Sequence, residues 1–156
     1  KISKLERLKK SMKDKTKISV GFTLGWCDLF HIGHINLLRN AKALCDKLIV
    51  GVCSDEYMIK SKRGPIYSLR DRMEILKACK YCDVVVPEGT IEKLELYNKY
   101  KFDVLFVGSD WYEDERYINW EKQLKEYGVS VVYLPYTKEV SSSKIIQKIS
   151  DYRERI

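Results

Sequence analysis

The sequence has no run of about 18 consecutive apolar residues, and its start lacks the charged, apolar and small-residue succession of a secretory signal. These two absences predict a cytoplasmic protein that does not insert into a membrane. With 156 residues, the chain is long enough for one domain with a real core and too short for a second domain of ordinary size. Because residue 1 is Lys and not Met, we expect that a tag, a processed end or a longer parent protein has been cut away.

The net charge is +7, but the charged residues are not distributed as in a nucleic-acid-binding protein. Residues 1–17 hold eight of the 29 lysines and arginines and two of the 22 acidic residues, which leaves residues 18–156 with 21 bases and 20 acids. This nearly neutral body predicts no nucleic-acid partner. We interpret residues 1–17 as a basic tail or linker, and residues 18–156 as one domain. Contact with an anionic membrane surface or an acidic partner is the alternative role of the tail.

Histidine and cysteine are too few, or wrongly spaced, for a structural metal site. The chain has two histidines, and Cys79 and Cys82 form its single Cys-x-x-Cys pair. A zinc site needs about four ligands. We therefore expect no metal ligands among the side chains, and we interpret the five cysteines, an odd number, as free thiols.

Short apolar runs alternate with helical patterns along the whole chain. The runs end near residues 25, 53, 86, 107 and 134, and helices are predicted to begin after Ser68 and at Thr90, Tyr117 and Ser142. The polar segment 55–67 is predicted to be a mobile loop. The alternation predicts an α/β, Rossmann-like, doubly wound parallel five-stranded sheet with helices on both faces.

Both histidines lie in one His-x-Gly-His sequence, His31 to His34, where the first predicted strand turns into the first predicted helix. Free backbone N–H groups and the helix dipole favour a phosphate at such a turn, and glycine allows its close approach. Ligands of open parallel sheets bind beyond the carboxyl ends of the strands. We therefore expect two later polar clusters, Gly108 to Trp111 and Thr137 to Ser143, to converge on this turn.

Two common nucleotide-binding sequences are absent. The chain has no Gly-x-Gly-x-x-Gly after the first strand and no P-loop Gly-x-x-x-x-Gly-Lys-Ser/Thr. Hydride transfer and P-loop hydrolysis are therefore disfavoured. A phosphate-binding turn with two imidazoles suits the stabilisation of charge at phosphorus, where positioning and electrostatics dominate catalysis.

These residues resemble the nucleotidyltransferases with a His-x-Gly-His sequence, and among them the cytidylyltransferase family. The resemblance covers about residues 18–148, is carried by segments 25–34, 83–88, 103–111 and 131–145, and is closest to the glycerol-3-phosphate cytidylyltransferases. It implies transfer of CMP from CTP to a small phosphate monoester, best matched by glycerol 3-phosphate, with Mg²⁺ on the triphosphate. It also implies a homodimer, and CDP-glycerol as a product for teichoic acid or capsule polymers.

The resemblance further implies a set of site residues. Catalytic roles go to the two histidines, one helix arginine and two loop lysines, which are His31, His34, Arg72, Lys60 and Lys62. Nucleotide-binding roles go to the first turn, the end of the fourth strand and the last motif: Thr23, Leu24, Gly25, Trp26, Asp28, Gly33, Gly108, Asp110, Trp111, Thr137, Ser141 and Ser142. Arg72 is expected to grip the acceptor or the triphosphate, because a guanidinium binds phosphate bidentately.

Four positions depart from the family pattern and leave the acceptor open. Trp26-Cys27 replaces a small residue followed by Phe, Ser109 replaces an acidic residue, and Tyr136 replaces an arginine. One alternative is an adenylyltransferase of the heptose-phosphate type that uses ATP. Others are a cytidylyltransferase for ethanolamine phosphate, choline phosphate or a sugar phosphate, and a nucleotide-binding module without activity. The length and the neutral body disfavour a class I aminoacyl-tRNA synthetase, which shares the His-Ile-Gly-His sequence.

Overall fold

Five parallel strands form a single sheet in the order β3-β2-β1-β4-β5. The computed structural model describes residues 18–61 and 63–155, so the basic segment 1–17 and Lys62 lie outside the described residues. The strands are β1 (Val20–Gly25), β2 (Lys47–Cys53), β3 (Val84–Glu88), β4 (Val104–Gly108) and β5 (Ser130–Leu134). Every neighbouring pair is parallel, and the strand order reverses between β1 and β4. A ligand site is expected at that switch point.

The connections between strands contain the helices. They are α1 (Ile32–Ala43), α2 (Asp55–Ser61), α3 (Leu69–Lys77), α4 (Lys93–Tyr100), α5 (Glu115–Lys125) and α6 (Ser142–Arg153), with one 3-10 turn at Ser109–Trp111. Within the described ranges, none of these helices is long and apolar enough to cross a membrane.

The predicted mobile loop over residues 55–67 is wrong in its first half, which forms α2. Two acidic residues, Asp55 and Glu56, occupy the first turn of this helix, where the helix dipole favours negative charge. The Ser54 hydroxyl accepts the Tyr57 N–H at 3.2 Å, and Met58 alone in this helix is buried. A single buried position gives no helical periodicity, so the sequence pattern could not reveal a helix this short.

The residue at which most of these helices begin is set by the polar side chain that accepts a free backbone N–H there. Ser68 caps α3 by accepting the Asp71 N–H, as predicted, and Ser141 caps α6 by accepting the Lys144 N–H. The helix predicted from Thr90 begins three residues later, because the Thr90 hydroxyl instead accepts the Glu92 N–H in a preceding turn. The helix predicted from Tyr117 begins two residues earlier, where Asp114 provides the cap.

The sheet carries one hydrophobic cluster on each face, which confirms the doubly wound arrangement. Helices α1 and α3 cover one face, where Leu38 and Leu76 pack with residues of β2 and β4. Helices α4 and α5 cover the other face, where Leu96 and Leu124 pack around Phe22. Burial of each such side chain stabilises the fold by about 1.5–3 kcal/mol. The packing sets the start of α1 and the start of α4 on opposite faces.

Candidate active site

A cavity of about 290 Å³ opens at the carboxyl edge of the sheet around the switch point between β1 and β4. Its wall combines the end of β1, the start of α1, the end of β4 and the segment that leads into α6. Twelve predicted site residues lie in this wall: Thr23, Leu24, Gly25, His31, Gly33, His34, Gly108, Asp110, Trp111, Thr137, Ser141 and Ser142. The three polar clusters, separated along the chain, are therefore brought together in space.

The two histidines cap the helix that follows them. His31 Nδ1 accepts the Gly33 N–H at 3.1 Å, and His34 Nδ1 accepts the His31 N–H at 3.1 Å, so the pair forms a reciprocal capping box. The ring centroids lie 3.9 Å apart. A Cβ on Gly33 would meet the His31 ring at 2.9 Å, which explains the glycine between them. The turn thus holds both rings at the cavity wall in a fixed orientation.

Burial keeps both imidazoles neutral near pH 7. Desolvation lowers the pKa of His31, and desolvation together with the nearby His31 lowers the pKa of His34 to about 4. Because each Nδ1 accepts a backbone N–H, the proton of each neutral ring is assigned to Nε2. Each histidine can therefore donate one hydrogen bond from Nε2 to a phosphate oxygen without carrying a charge of its own.

The backbone before the histidines is strained. Cys27 and Leu29 have φ angles of 53° and 51°, the left-handed region, which costs about 1–2 kcal/mol for a residue with a Cβ. Asp28, between them, is almost fully buried and accepts the backbone N–H groups of Ile66 and Tyr67, both at 2.9 Å. Such strain persists where surrounding contacts fix the backbone.

Asp28 and Trp26, both predicted to bind nucleotide, are not among the residues lining the cavity. The Asp28 carboxylate also accepts Arg63 Nη1 at 2.9 Å. Burial alone would raise the pKa of Asp28, but the two backbone N–H groups and this guanidinium hold it below its usual value. Asp28 thus connects the histidine turn to the loop before α3, because its carboxylate accepts hydrogen bonds from Arg63, Ile66 and Tyr67 of that loop.

Arg72, predicted to grip a phosphate, is also placed differently. Its side chain is fully buried and lies outside the cavity wall. The guanidinium donates to the carbonyls of Trp26, Cys53 and Tyr67 and to the Asp55 carboxylate. The prediction of a phosphate contact is therefore corrected to a contact with the protein itself. Burial of a cation requires such partners, and α3 supplies an arginine where four acceptors meet.

One of the two lysines assigned to the mobile loop, Lys60, is not brought to the cavity wall. Lys60 lies exposed near the end of α2, outside the lining residues. Lys62, the second predicted lysine, falls outside the described residues.

The opposite wall comes from the ends of β4 and β5. A Cβ on Gly108 would clash with the Asp110 carboxylate, so glycine is needed to seat that side chain. Partial desolvation raises the pKa of Asp110 above its usual range. Trp111 stays 40% exposed beside the cavity. Tyr136 also lines this wall, and its N–H donates to Ser109 Oγ at 3.1 Å, so two departures from the family pattern contact each other.

The last predicted motif lies beside the histidine turn. Ser141 caps α6 and lies in the cavity wall, so the start of this helix, whose first N–H groups have no partner within the helix, borders the cavity. The Ser142 hydroxyl is already engaged, because it donates to the Asp28 carbonyl at 2.6 Å. Thr137 Oγ1 accepts from Asn36 Nδ2 at 3.1 Å. The starts of α1 and α6 thus border the same cavity, and helix starts in general favour the binding of anions.

Comparison with known proteins identifies the family. Residues 22–148 match the family described as Cytidylyltransferase-like. The chain belongs to the cytidylyltransferase-like family. This cytidylyltransferase-like protein is 42% identical over 134 residues to the FAD synthase of Pyrococcus abyssi, across 81% of this chain and 89% of that protein. It is 36% identical over 129 residues to the glycerol-3-phosphate cytidylyltransferase of Bacillus subtilis, across 82% and 95% respectively.

A solved structure shows the same fold. The lipopolysaccharide core biosynthesis protein from Thermoplasma volcanium superposes with a TM-score of 0.66 and 22% identity, covering 80% of this chain and 100% of that one. The sequence relatives show that the cytidylyltransferase-like protein is a nucleotidyltransferase.

The sequence analysis missed Lys93, the single lysine or arginine that the described residues contribute to the cavity wall. Its side chain is 2% exposed, and its Nζ lies 4.3 Å from the Trp120 ring centroid and donates to the Ile91 carbonyl. Desolvation lowers the pKa of Lys93 to about 8. A signal was present, because Lys93 lies three residues before Leu96 on the face of α4 that packs against the sheet.

This cytidylyltransferase-like site suits a divalent metal that is held mainly by the phosphates of the substrate. Within residues 18–61 and 63–155, no group of three or more His, Cys, Asp or Glu side chains could hold a metal ion. Mg²⁺ is commonly bound by one or two carboxylates plus substrate phosphates and keeps several waters. Asp110 supplies one carboxylate in the cavity wall. The donor set would suit Mg²⁺ that enters with a triphosphate, and Asp110 is the carboxylate that would hold it.

Proposed function

We propose that the protein transfers CMP from CTP to a small phosphate monoester, in the first place glycerol 3-phosphate, and releases CDP-glycerol and pyrophosphate. The observation that carries this proposal is the composition of the cavity wall. Neutral imidazole donors enter it from one face of the sheet, and a buried lysine enters it from the other face. The glycerol-3-phosphate cytidylyltransferase relatives support the choice of nucleotide and acceptor.

The triphosphate of the donor suits the side of α1 and α6. The two helix starts offer free N–H groups, and His31 and His34 add their Nε2–H donors. The leaving pyrophosphate gains negative charge as the bond to the α-phosphorus breaks, so fixed donors on this side stabilise the transition state more than the ground state. Bound Mg²⁺ would neutralise part of the triphosphate charge.

The acceptor phosphate suits the side of Lys93. Attacking and leaving oxygens lie roughly in line at phosphorus. If pyrophosphate departs toward α1 and α6, the acceptor must approach from the opposite side, where Lys93 of α4 lines the cavity. An acceptor phosphate oxygen forms the new bond to the α-phosphorus, and the oxygen that bridges the α- and β-phosphorus leaves with pyrophosphate. The protein needs no covalent intermediate.

A second candidate is adenylyl transfer from ATP to FMN, which would give FAD. Two observations favour it. The protein is 42% identical to the Pyrococcus abyssi FAD synthase. Two exposed aromatic side chains in the cavity wall, Trp111 and Tyr136, offer a surface on which a flat ring system could stack.

A matrix of two nucleotides and several acceptors distinguishes these reactions. CTP and ATP are each offered with glycerol 3-phosphate, FMN, ethanolamine phosphate, choline phosphate and a heptose phosphate. Pyrophosphate release and product mass are then measured. We expect the highest kcat/KM for CTP with glycerol 3-phosphate and a product with the mass of CDP-glycerol. A higher kcat/KM for ATP with FMN would replace the first proposal by the second. Binding of CTP without pyrophosphate release from any pair would indicate a nucleotide-binding module.

We also propose that the enzyme is a cytoplasmic homodimer, as the family resemblance implies. Analytical ultracentrifugation tests the assembly, with a mass near twice 18.4 kDa as the expected result. A mass that stays at that of one chain across the concentrations used for activity would contradict the homodimer.

A further inference from the structure

The Arg72 guanidinium joins three segments of the chain through four acceptors. Nε donates to the Tyr67 carbonyl at 3.0 Å, Nη1 to the carbonyls of Trp26 and Cys53 at 2.6 and 2.8 Å, and Nη2 to Asp55 Oδ1 at 2.6 Å. Four of its five N–H donors are thus engaged. Because the side chain is fully buried, no surface of the guanidinium remains for a substrate.

Two of these segments carry residues that the sequence assigned to phosphate binding. The Trp26 carbonyl immediately precedes Cys27, the first residue of the strained histidine turn. Asp55 begins α2, the helix that carries Lys60, and Asp55 Oδ2 also accepts the Leu69 N–H at 3.2 Å. Arg72 therefore connects the turn that carries the imidazoles with α2. Cys53, at the end of β2, fixes this connection to the rigid sheet.

We propose that Arg72 is a positioning residue: it holds the histidine turn in its left-handed conformation, aligned with α2, and contacts neither nucleotide nor acceptor. The contacts between the turn and its surroundings support this role. The turn is held by the Asp28 carboxylate on one side and by the hydrogen bond from Arg72 to the Trp26 carbonyl on the other. The catalytic consequence rests on the proposed nucleotidyl transfer, whereas the structural consequence does not.

Lysine in place of Arg72 separates positioning from charge. Lysine keeps the positive charge, but its compact ammonium cannot reproduce the planar arrangement of donors that reaches four acceptors. Arg70→Lys is the matched control, because Arg70 lies on the same helix with a side chain that is 89% exposed. Asp55→Asn is a milder second variant, because it weakens the contact to Nη2 while the remaining carbonyl oxygen still accepts.

The first measurement is the division of the defect between kcat and KM. In Arg72→Lys we expect kcat to fall about 10²-fold, since a displacement of about 1 Å at the reacting groups has that effect. Both KM values should stay near those of the unmodified protein, because Trp111, Tyr136 and Lys93 are held by other elements. Asp55→Asn should show a smaller loss of kcat, and Arg70→Lys none. A raised KM for either substrate with kcat retained would overturn the proposal, because it would indicate contact with that substrate.

The second measurement needs no turnover. The chain contains two histidines, so its NMR spectrum has one ring Cε1–H resonance for each. We expect the His34 resonance to titrate near pH 4 in the unmodified protein and in Arg70→Lys. In Arg72→Lys the loosened turn admits water, and the pKa should move toward 6.5 while amide signals remain those of a folded protein. Asp55→Asn should shift it in the same direction by less, which keeps the test decisive if Arg72→Lys does not fold. Unchanged titration in both variants would refute the positioning role.

The two proposals fail in different ways. If the unmodified protein turns over no pair of nucleotide and acceptor, the proposed function is wrong, and the histidine titration still decides the role of Arg72. If turnover is normal and both Arg72→Lys and Asp55→Asn match the Arg70→Lys control, the positioning role alone is wrong.

Discussion

At the scale of single residues, His34 has two roles that one substitution would confuse. Its Nδ1 completes the capping box, and the residue lines the cavity, where we propose that its Nε2–H donates to phosphate. Glutamine at the third helical position can also accept the capping N–H, so His34→Gln keeps the cap and removes the imidazole donor. The pair His34→Gln and His34→Ala therefore separates folding from catalysis.

We expect both variants to lose about 10²-fold or more of kcat, the usual cost of removing one donor to developing negative charge. Only His34→Ala should also lose stability, by about 0.5–2 kcal/mol, because it leaves a helix-start N–H unsatisfied. Steady-state kinetics and thermal unfolding measure the two effects. Full activity in His34→Gln would show that the imidazole acts only as a cap.

The same residue gives the stability of the protein a pH dependence. Burial lowers the pKa of His34 to about 4, below the value of 6.5 that an exposed imidazole has. Between these values the unfolded chain binds more protons, so stability should fall as the pH drops from about 6.5 to about 4. The slope contributed by one group is at most about 1.4 kcal/mol per pH unit. Urea unfolding across this range should show a slope that His34→Gln reduces. An equal slope in both proteins would contradict a buried neutral His34.

We expect the buried Lys93 to lower the free energy of unfolding while it serves the proposed acceptor site. Its pKa is lowered to about 8 by burial, so holding the charged amine inside the fold at pH 7 costs free energy. Lys93→Met should raise the free energy of unfolding at pH 7 by about 1 kcal/mol or more, as each pKa unit corresponds to about 1.4 kcal/mol. It should also raise KM for the acceptor more than KM for the nucleotide. Chemical unfolding and two-substrate kinetics measure both effects. A raised KM for the nucleotide alone would contradict the assignment of Lys93 to the acceptor.

At the scale of secondary-structure elements, the starts of α1 and α6 are both capped and both border the cavity. Ser141 Oγ accepts the Lys144 N–H at 3.1 Å and lies in the cavity wall. Aspartate is as good an N-cap as serine, yet its carboxylate would repel a triphosphate. Ser141→Asp should therefore keep the melting temperature and raise KM for the nucleotide. Ser141→Ala should lose about 1 kcal/mol of stability with a smaller change in KM. Unchanged KM in Ser141→Asp would place the triphosphate elsewhere.

The elements also show where sequence reasoning succeeds. The strands are apolar runs of ordinary length, and Ser68 and Ser141 each cap a helix start by accepting a backbone N–H, so these features were predictable. The helix α2 was missed because only Met58 in it is buried. Two predicted helix starts differ from the observed ones by two or three residues. The exact start depends on which of several neighbouring polar side chains accepts the first free N–H, as at Thr90 and Asp114.

The candidate site was also predictable only in part: the sequence located the strand ends that form it, but not the direction of every polar side chain. Residues at the ends of β1 and β4 reach the cavity because the parallel topology itself brings them there. Arg72 and Asp28 do not, because their side chains turn inward to acceptors and donors on segments distant in sequence. Lys93 reaches the cavity from a helix that no motif marks. Contacts between distant segments decide the direction of a polar side chain, and a single sequence does not encode them locally.

At the scale of the whole molecule, the sheet separates the groups that we propose to bind the donor and the acceptor. The imidazoles and the start of α1 lie at the end of one face, and Lys93 reaches the cavity from the other. This separation suits a direct transfer in which donor and acceptor meet across the switch point of the sheet. A rigid parallel sheet, buried on both faces, fixes the distance between them.

The stereochemical course at the α-phosphorus tests this separation most directly. CTP with a single sulfur of defined configuration on the α-phosphorus is turned over with glycerol 3-phosphate, and the configuration of the product is determined by phosphorus NMR. One in-line displacement between the Lys93 side and the histidine side predicts inversion. Retention would require two displacements and a covalent intermediate on the protein, and would contradict direct transfer across this cavity.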